Sequence, residues 1–485
     1  MGRMKMTIRN IFLILGIILM PVSSSLEETE PGAEGSIFSS LKIMDYHPIE
    51  KISPDSTRIA YAMGNDAGYW YYVIAGPEGE IIETAYEGVR DFVFSPDGNH
   101  HGYKAYKDGK MVAVIDGSEG QEYDEVWSSI FFSHDGERYA YSAKKGDQMF
   151  MVVDGSEYGP YKSLSDPIIS SGGQHVLYTM VEEGHDYVVV DGAAQELMGY
   201  NPVVSPDGNR WAYSFATIYG GIRSYIVLDG DVIDLGKDES NRVAQMVFSP
   251  MGSRFAYDVV PGGNAYGDHV VVVDGVPGER YHDPGVGTIV FSPDESTVAY
   301  WAKAEDGGFT MVVNGEEGEI YNKIGDPVIS PYASHVAYTV EESDGMFVVL
   351  DGIAGDKYES IWGLTFSLDG RLAYAASDTR DEGYVHLVVV DGQEDQTYRH
   401  NWHFQGIRSN LVFSPDGEHI AYLANDAGTE EFVVVDSIRY ANPWGATLTM
   451  EPQNLVWDSA EEFHYIGQND SGVYLVTATV PPEEM

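Results

Sequence analysis

The chain has 485 residues, of which 76 are acidic and 28 are basic, so its formal net charge is −48. A surface this acidic repels phosphate backbones and anionic lipids, which disfavours nucleic acids and membrane surfaces as partners. Cysteine is absent, so disulfides, thiolate metal sites and cysteine nucleophiles are excluded. Hydrophobic residues make up 43% of the chain, and the high counts of glycine (54) and tyrosine (34) indicate many strands joined by tight turns.

Residues 1–25 have the features of a signal peptide. A basic leader precedes an apolar run at 11–22, which is too short to span a bilayer comfortably, and small residues stand at Ser23 and Ser25. We expect cleavage after Ser25 and an acidic linker at 26–35, with an uncleaved N-terminal anchor as the alternative. No second hydrophobic run follows, so we expect a mature chain without a membrane span, located in the periplasm, at the cell surface or in the medium.

A short phrase, Phe-Ser-Pro-Asp-Gly or a degraded copy of it, recurs along the whole chain. Its serine falls at Ser53, Ser95, Ser133, Ser170, Ser205, Ser249, Ser292, Ser330, Ser367 and Ser414. An eroded further copy begins near Asp458. Self-similarity at a period of about 40 residues is the signature of a repeat architecture.

Each copy has the same internal order. An apolar run ends in the Ser-Pro-Asp-Gly turn, an Ala-Tyr pair follows, and a valine-rich run then ends in Asp-Gly, as at residues 188–192. Proline and glycine suit the first turn, which joins strand A to strand B, and Asp-Gly favours a type I′ hairpin between strands C and D. Four such strands form a sheet that must pack on copies of itself, which predicts an all-β fold, the β-propeller.

The two ends of the repeat region complement each other. The last copy has recognisable A, B and C strands at 455–458, 462–466 and 472–477, but no D strand follows them. The segment from Ser36 to Tyr46, before the first A strand, has the pattern of a spare D strand. A ring closed by strands from both ends would use this arrangement and would leave no open sheet edge.

Eleven copies exceed the usual four to eight blades of a propeller. The usual blade numbers favour two tandem rings, with repeats 1–5 at 36–240 and repeats 6–11 at 241–485. The shared closure of the two ends favours one large ring instead. The sequence leaves both arrangements open.

The Phe-Ser-Pro-Asp-Gly, Ala-Tyr and Val-Val-Asp series resembles the repeat of TolB-type propellers, a WD-repeat-like family. The resemblance covers roughly residues 45–480 and implies the propeller fold, but it implies no particular activity. The chain departs from TolB in having eleven units rather than six and in lacking a separate N-terminal α/β domain.

Candidate binding residues lie where the repeat is interrupted, because function on a repeat scaffold usually sits at such places. The interruptions carry His400, Trp402, His403, Trp70 and Trp444. Aromatic loop residues are typical of ligand or partner contacts, although they also plug the ends of rings. The two histidines have no identifiable third ligand, so we predict no metal site there.

Two other recurring residue types have simple structural explanations. The repeated aspartates resemble calcium ligands, but calcium needs six to eight oxygens at one point, whereas turn chemistry already favours Asp at these places. We therefore predict no cofactor, with calcium as the alternative. The tyrosine of each second strand fits packing between blades, with its hydroxyl reaching a partner at the rim, better than a stacking platform.

No catalytic motif is present: the chain has no zinc-binding His-Glu-x-x-His, phosphate loop, dinucleotide fingerprint or nucleophile elbow. We therefore predict an exported, non-enzymatic binding or scaffold protein that presents a propeller face to a protein, a peptide or an envelope glycan. The alternative is a propeller enzyme, a lyase or glycan hydrolase, with its site in the central funnel. Convergence of His or Asp side chains from three or more blades would favour the enzyme.

Overall fold

A computed structural model describes residues 38–44, 49–197, 202–217, 223–236, 241–263, 268–282, 285–305, 307–332, 335–381, 383–399, 411–425, 431–441, 455–469 and 472–480. The predicted signal peptide and acidic linker, residues 1–35, lie outside these ranges. Strands make up nearly all of the regular structure, with one short 3-10 turn at Pro261–Gly263. Within the described part of the chain, no helix is long and apolar enough to cross a bilayer.

The described strands form eleven small antiparallel sheets, or blades, numbered here from the N-terminus. Each blade has strands A to D in sequence order, and the A strand is split in blades 3, 4 and 8. The first strand, β1 (Phe38–Met44), belongs to the last blade. Blade 1 has β2 (Lys51–Ile52), β3 (Ile59–Gly64), β4 (Trp70–Gly76) and β5 (Gly79–Ile82); blade 2 has β6 (Gly88–Phe94), β7 (His101–Lys107), β8 (Lys110–Ile115) and β9 (Ser118–Glu119); blade 3 has β10 (Glu125–Val126), β11 (Phe131–Phe132), β12 (Tyr139–Lys145), β13 (Gln148–Val153) and β14 (Ser156–Tyr161).

The middle blades follow the same plan. Blade 4 has β15 (Ser163–Leu164), β16 (Ile168–Ile169), β17 (Val176–Glu182), β18 (His185–Val190) and β19 (Ala193–Leu197); blade 5 has β20 (Val203–Val204), β21 (Trp211–Thr217), β22 (Arg223–Leu228) and β23 (Asp231–Asp234). Blade 6 has β24 (Arg242–Phe248), β25 (Phe255–Val260), β26 (His269–Val273) and β27 (Val276–Tyr281); blade 7 has β28 (Val290–Phe291), β29 (Val298–Lys303), β30 (Phe309–Val313) and β31 (Glu316–Tyr321).

The last four blades complete the series. Blade 8 has β32 (Lys323–Ile324), β33 (Val328–Ile329), β34 (Val336–Glu342), β35 (Gly345–Leu350) and β36 (Ile353–Ala354); blade 9 has β37 (Ser360–Phe366), β38 (Leu372–Arg380), β39 (Gly383–Val390) and β40 (Gln393–Arg399). Blade 10 has β41 (Val412–Phe413), β42 (Ile420–Asn425), β43 (Glu431–Val435) and β44 (Ile438–Ala441); blade 11 has β45 (Val456–Trp457), β46 (Glu462–Asn469), β47 (Gly472–Thr479) and β1.

The A strands lie innermost, because the A strands of successive blades contact each other. For example, β2 contacts β6, and β33 contacts β37. The D strands are largely exposed, as in β14 and β31, and form the outer rim. We call the side with the A–B and C–D turns the turn face. The opposite side, with the B–C turns and the D–A connections, is the loop face. Residues near the start of an A strand therefore border the mouth of the central channel on the loop face.

A single ring is formed, which is one of the two arrangements that the sequence left open. Each of the eleven interfaces between neighbouring blades has its own apolar cluster. Blades 5 and 6 share a cluster that contains Ala212, Ile226 and Met246, so the ring continues past residue 241. Blades 11 and 1 share one that contains Ile59 and Val473, which closes the ring.

Strands from both ends of the repeat region build the last blade, as the sequence predicts. The sheet order is β1-β47-β46-β45, and β1 runs antiparallel to β47 from Phe38 opposite Ala478 to Met44 opposite Val473. Without β1, strand β47 would have an unpaired edge at the rim.

The tyrosines of the B strands pack between blades, which confirms the structural interpretation. All eleven are buried: Tyr61, Tyr103, Tyr141, Tyr178, Tyr213, Tyr257, Tyr300, Tyr338, Tyr374, Tyr422 and Tyr465. Two of the hydroxyls have partners near the rim: Tyr103 donates to Glu83 at 3.2 Å, and Tyr422 donates to Asp395 at 2.9 Å. Burial raises the pKa of Tyr300 and of Tyr374 to about 12.

The repeated aspartates hold the turn face together, as turn chemistry predicts. In blade 2, Asp97 accepts hydrogen bonds from the Ser95 hydroxyl at 2.5 Å and the Asn99 amide at 3.1 Å. In eight blades, the aspartate of the C–D hairpin pairs with a basic residue that immediately precedes strand B. Arg138, for example, donates to Asp154 at 2.8 Å and reaches across to the Gly173 carbonyl of the next blade at 2.5 Å. The turn face is thus occupied by contacts that support the ring.

Removal of β1 tests the closure. A variant that lacks residues 1–45 should unfold at a lower temperature than a control that lacks residues 1–35, because β47 loses its neighbour and buried Val476 loses cover. We expect a loss of at least about 2 kcal/mol in the free energy of unfolding, measured by urea titration and calorimetry. Equal stability of the two truncated proteins would contradict closure by β1.

The buried tyrosines predict a stability that falls at high pH. An unfolded tyrosine ionises near pH 10, whereas the pKa of folded Tyr300 and of folded Tyr374 is about 12, so folding holds the protons and stability decreases between these values. Urea titrations from pH 8 to 12 should show this decrease. Tyr374→Phe should reduce the slope by up to about 1.4 kcal/mol per pH unit, and an unchanged slope would contradict the assignment.

Candidate functional site

Of the sequence-predicted binding residues, Trp70 alone lies within the described part of the chain. His400, Trp402, His403 and Trp444 lie outside it, so their prediction is not addressed by the structure. The site is therefore built from the surroundings of Trp70.

Trp70 begins strand β4 of blade 1 and is exposed on the loop face, with 47% of its surface accessible. Its ring lies over Gly64, where a Cβ would stand 3.6 Å from the ring. Its amide donates to the Tyr86 carbonyl at 2.7 Å, which ties it to the connection that leads into blade 2. The ring is thus held against blade 1 but presents much of its surface to solvent.

Blade 2 places a second exposed aromatic ring next to this connection. Tyr106 lies near the end of β7, and its carbonyl accepts from the amide of Glu87 at 3.0 Å. The Arg90 guanidinium stands over the Tyr106 ring, 5.4 Å from its centre. Arg90 also approaches Glu125 of blade 3, at 3.8 Å between Nη2 and Oε1.

Blade 3 also pairs a cation with an aromatic ring, but the cation and the ring have exchanged strands relative to blade 2. In blade 2 the cation is on strand A and the ring on strand B, whereas in blade 3 Trp127 is on the A side and Lys144 on strand B. The Lys144 ammonium lies 5.9 Å from the centre of the Trp127 ring. Trp127 is 56% exposed. We call Trp70, Tyr106 and Trp127 the aromatic stripe, because they follow one another over the loop face of three adjacent blades.

A backbone irregularity lies beside the stripe. Strand β6 is bulged between Arg90 and Val93, and Asp91 in the bulge has φ of 57°, a left-handed conformation that costs energy in a residue other than glycine. The Asp91 carboxylate bonds Lys104 at 2.8 Å, and the Lys104 side chain is only 4% exposed. The Arg90 Nε is also buried without a hydrogen bond, 3.7 Å from Asp91.

Blade 9 has the same bulge without this strain. There the left-handed residue is Gly363, with φ of 67°, and the residue that corresponds to Lys104 is Ala375. The fold therefore does not require Asp91 and Lys104. Strained backbone and unbonded buried polar groups concentrate at functional sites, which marks this part of blade 2 as the candidate.

Among the described residues, the exposed aspartates of the A strands come from separate blades. Asp91, Asp166 and Asp326 are exposed at corresponding places in the A strands of blades 2, 4 and 8. Asp326 accepts from Thr288 at 3.1 Å and from the Trp301 indole at 3.0 Å. Among the described residues, no group of three or more His, Cys, Asp or Glu could hold a metal ion.

A further cavity lies elsewhere and is lined by residues of the repeat contacts. It has a volume of 750 Å³ and opens on the turn face between blades 9, 10 and 11. Two of its acids already have partners: Asp391 pairs with Arg371 at 2.9 Å, and Asp436 pairs with His419 at 2.5 Å. We therefore favour the aromatic stripe over this cavity as the functional site.

Sequence reasoning missed Trp127 and the corresponding Trp362 of blade 9. Both stand four residues after the tyrosine that ends a D–A connection, in Tyr123-Asp-Glu-Val-Trp127 and in Tyr358-Glu-Ser-Ile-Trp362. This recurring spacing is a signal that the sequence contains. The predicted residues lie at interruptions of the repeat, whereas these two tryptophans are substitutions within intact copies.

No protein-family model matches the chain, and no curated protein matches it. Similar solved structures include a eukaryotic initiation factor (13% identity, 70% of this chain and 96% of that chain covered, TM-score 0.39). An oligogalacturonate lyase in complex with manganese is 14% identical, with 66% of this chain and 96% of the lyase chain covered and a TM-score of 0.27. TolB from Acinetobacter baumannii is 16% identical, with 56% of this chain and 67% of the TolB chain covered and a TM-score of 0.19. The likeness extends to the propeller fold and carries no activity with it.

Substitutions at the bulge test whether Asp91 and Lys104 are optional for the fold. Asp91→Ala should lower the free energy of unfolding by about 3 kcal/mol, because it leaves the buried Lys104 ammonium without its carboxylate. The double variant Asp91→Gly with Lys104→Ala, which copies blade 9, should be within about 1 kcal/mol of the wild type. Urea unfolding measures both. A double variant as unstable as the single one would show that the pair is structural.

Proposed function

We propose that the protein is a non-enzymatic binding protein that acts outside the cytoplasm and holds a neutral, linear glycan on the loop face of blades 1 to 3. The observation that carries the proposal is the aromatic stripe, Trp70, Tyr106 and Trp127, with a cation beside two of its rings. Location outside the cytoplasm rests on the signal peptide expected at residues 1–25.

The chemistry of the stripe suits sugar rings. A pyranose has an apolar C–H face that stacks on an indole or phenol ring, and hydroxyls at its edge that pair with charged groups. Around the stripe, Asp91 and Glu125 are exposed acceptors and Arg90 is an exposed donor, with 45%, 40% and 41% of their side chains accessible. Rings and charged hydrogen-bonding groups thus alternate along the same surface.

Other partner classes fit this surface less well. An extended peptide is usually captured along an open sheet edge or in an apolar groove, whereas the stripe lies at the ends of strands. Nucleic acids and anionic polysaccharides are repelled by a chain with a net charge of −48. A neutral glycan meets neither obstacle, so we favour it over the peptide and protein alternatives.

The enzyme alternative has less support. Glycan hydrolases generally need two carboxylates facing each other across the scissile bond. Asp166 and Asp326 lie on separate blades, and Asp326 already accepts hydrogen bonds from Thr288 and from the Trp301 indole of blade 7. We therefore propose binding without cleavage, so a bound glycan should keep its chain length on prolonged incubation.

Substitution of the stripe tests the proposal. Trp127→Ala and Tyr106→Ala should each weaken binding to neutral manno-, cello- or chito-oligosaccharides by about 10- to 100-fold, because each removes one stacking ring. Tyr332→Ala is the matched control, since Tyr332 is 72% exposed on the turn face and should have no effect. Calorimetry measures the affinity. Binding that is unchanged in both stripe variants, or that is restricted to peptides, would refute the proposal.

A further inference from the structure

Two tryptophans occupy the same structural position in distant blades. Tyr123 forms a bridge with Met111 of blade 2, and Tyr358 forms the equivalent bridge with Met346 of blade 8. Trp127 and Trp362 each follow four residues later, near the start of an A strand. Both therefore stand at the mouth of the central channel on the loop face.

The packing of the repeat does not explain these tryptophans. In every blade compared, this position lies opposite the residue that follows the strand B tyrosine. It holds Arg90 in blade 2, Ser165 in blade 4, Gly287 in blade 7 and Gly325 in blade 8. A position that accepts glycine, serine and arginine imposes no requirement for a large ring. The two rings are also exposed, by 56% for Trp127 and 37% for Trp362.

Trp362 is the centre of a second aromatic platform. Its ring meets the His386 ring edge to face, with centres 5.1 Å apart, and Tyr384 lies 5.8 Å from the same histidine. The Tyr384 hydroxyl donates to Ser377 at 2.8 Å, which fixes its orientation. We call Trp362 and Tyr384 the blade 9 platform.

The two tryptophans belong to blades on nearly opposite sides of the ring. In a closed ring of eleven blades, blade 3 and blade 9 are six steps apart in one direction and five in the other. This is as close to opposite as an odd number of blades allows. A ligand that touches both must therefore cross the mouth of the channel.

We propose that one linear glycan chain spans the channel mouth and contacts both the aromatic stripe at Trp127 and the blade 9 platform at Trp362. This inference rests on the proposed function and adds to it that the ligand is a polymer rather than a short sugar. Two weak contacts on one chain act at a high effective concentration, which raises the affinity once the chain is long enough to reach both.

The test is a length series of one neutral oligosaccharide, with affinity and stoichiometry measured by calorimetry. Short oligosaccharides should bind weakly, with two molecules per protein. At the length that spans the channel mouth, the affinity should rise in one step on the order of 100-fold, and one molecule should bind per protein. Trp127→Ala or Trp362→Ala alone should remove the step and leave short-chain binding at the other platform. Trp362→Tyr should restore part of it, and Tyr332→Ala should leave it intact.

The outcomes separate the two proposals. If the affinity rises smoothly with chain length and the long-chain affinity of Trp362→Ala is unchanged, the proposal of a bridging chain is overturned. Glycan binding by the aromatic stripe would then remain in place. Failure of every oligosaccharide, short or long, to bind the wild type would overturn the proposed function and the bridging chain together. Circular dichroism and the thermal midpoint of each variant confirm that a lost step is not a loss of folding.

Discussion

The structure depends on burial between neighbouring blades. A four-stranded sheet of this size has two apolar faces and cannot shield either one alone, so each blade is stable only when it lies between two others. Eleven apolar clusters, one at every interface, meet this need, and the strand B tyrosine contributes to every one of them. Because each interface resembles the next, the ring closes only when the last blade meets the first, through Ile59 and Val473.

The two faces of the ring have different constraints. On the turn face, serine, aspartate and a basic residue recur in blade after blade and bind one another, as Arg138 and Asp154 do. On the loop face, the described residues vary more from blade to blade. Asp91 with Lys104 in blade 2, where blade 9 has Gly363 and Ala375, is an example of this freedom. Because the fold constrains the residues of the loop face less, residues for specific recognition can evolve there.

Much of the fold can be predicted from the sequence, because its determinants are local. The Ser-Pro-Asp-Gly and Asp-Gly turns give the strand order, and the segment at 36–46 gives the closing strand, observed as β1. The number of rings could not be predicted, since it depends on the small angle between packed blades. The site was found only in part. Trp70 stands out in the sequence, but the pairing of Arg90 with Tyr106 depends on strand register and on contact between strands.

Closure by β1 has a consequence for how the chain acquires its structure. The partners Phe38 and Ala478 come from opposite ends of the repeat region, so this contact has one of the largest sequence separations in the protein. Neighbouring blades can stack as they emerge during synthesis, whereas the final sheet must wait for residues 472–479. Until then, β1 and the exposed sides of the first and latest blades are unprotected. The nascent chain is therefore open to association with other copies for nearly its whole synthesis, and its strong negative charge would keep those copies apart.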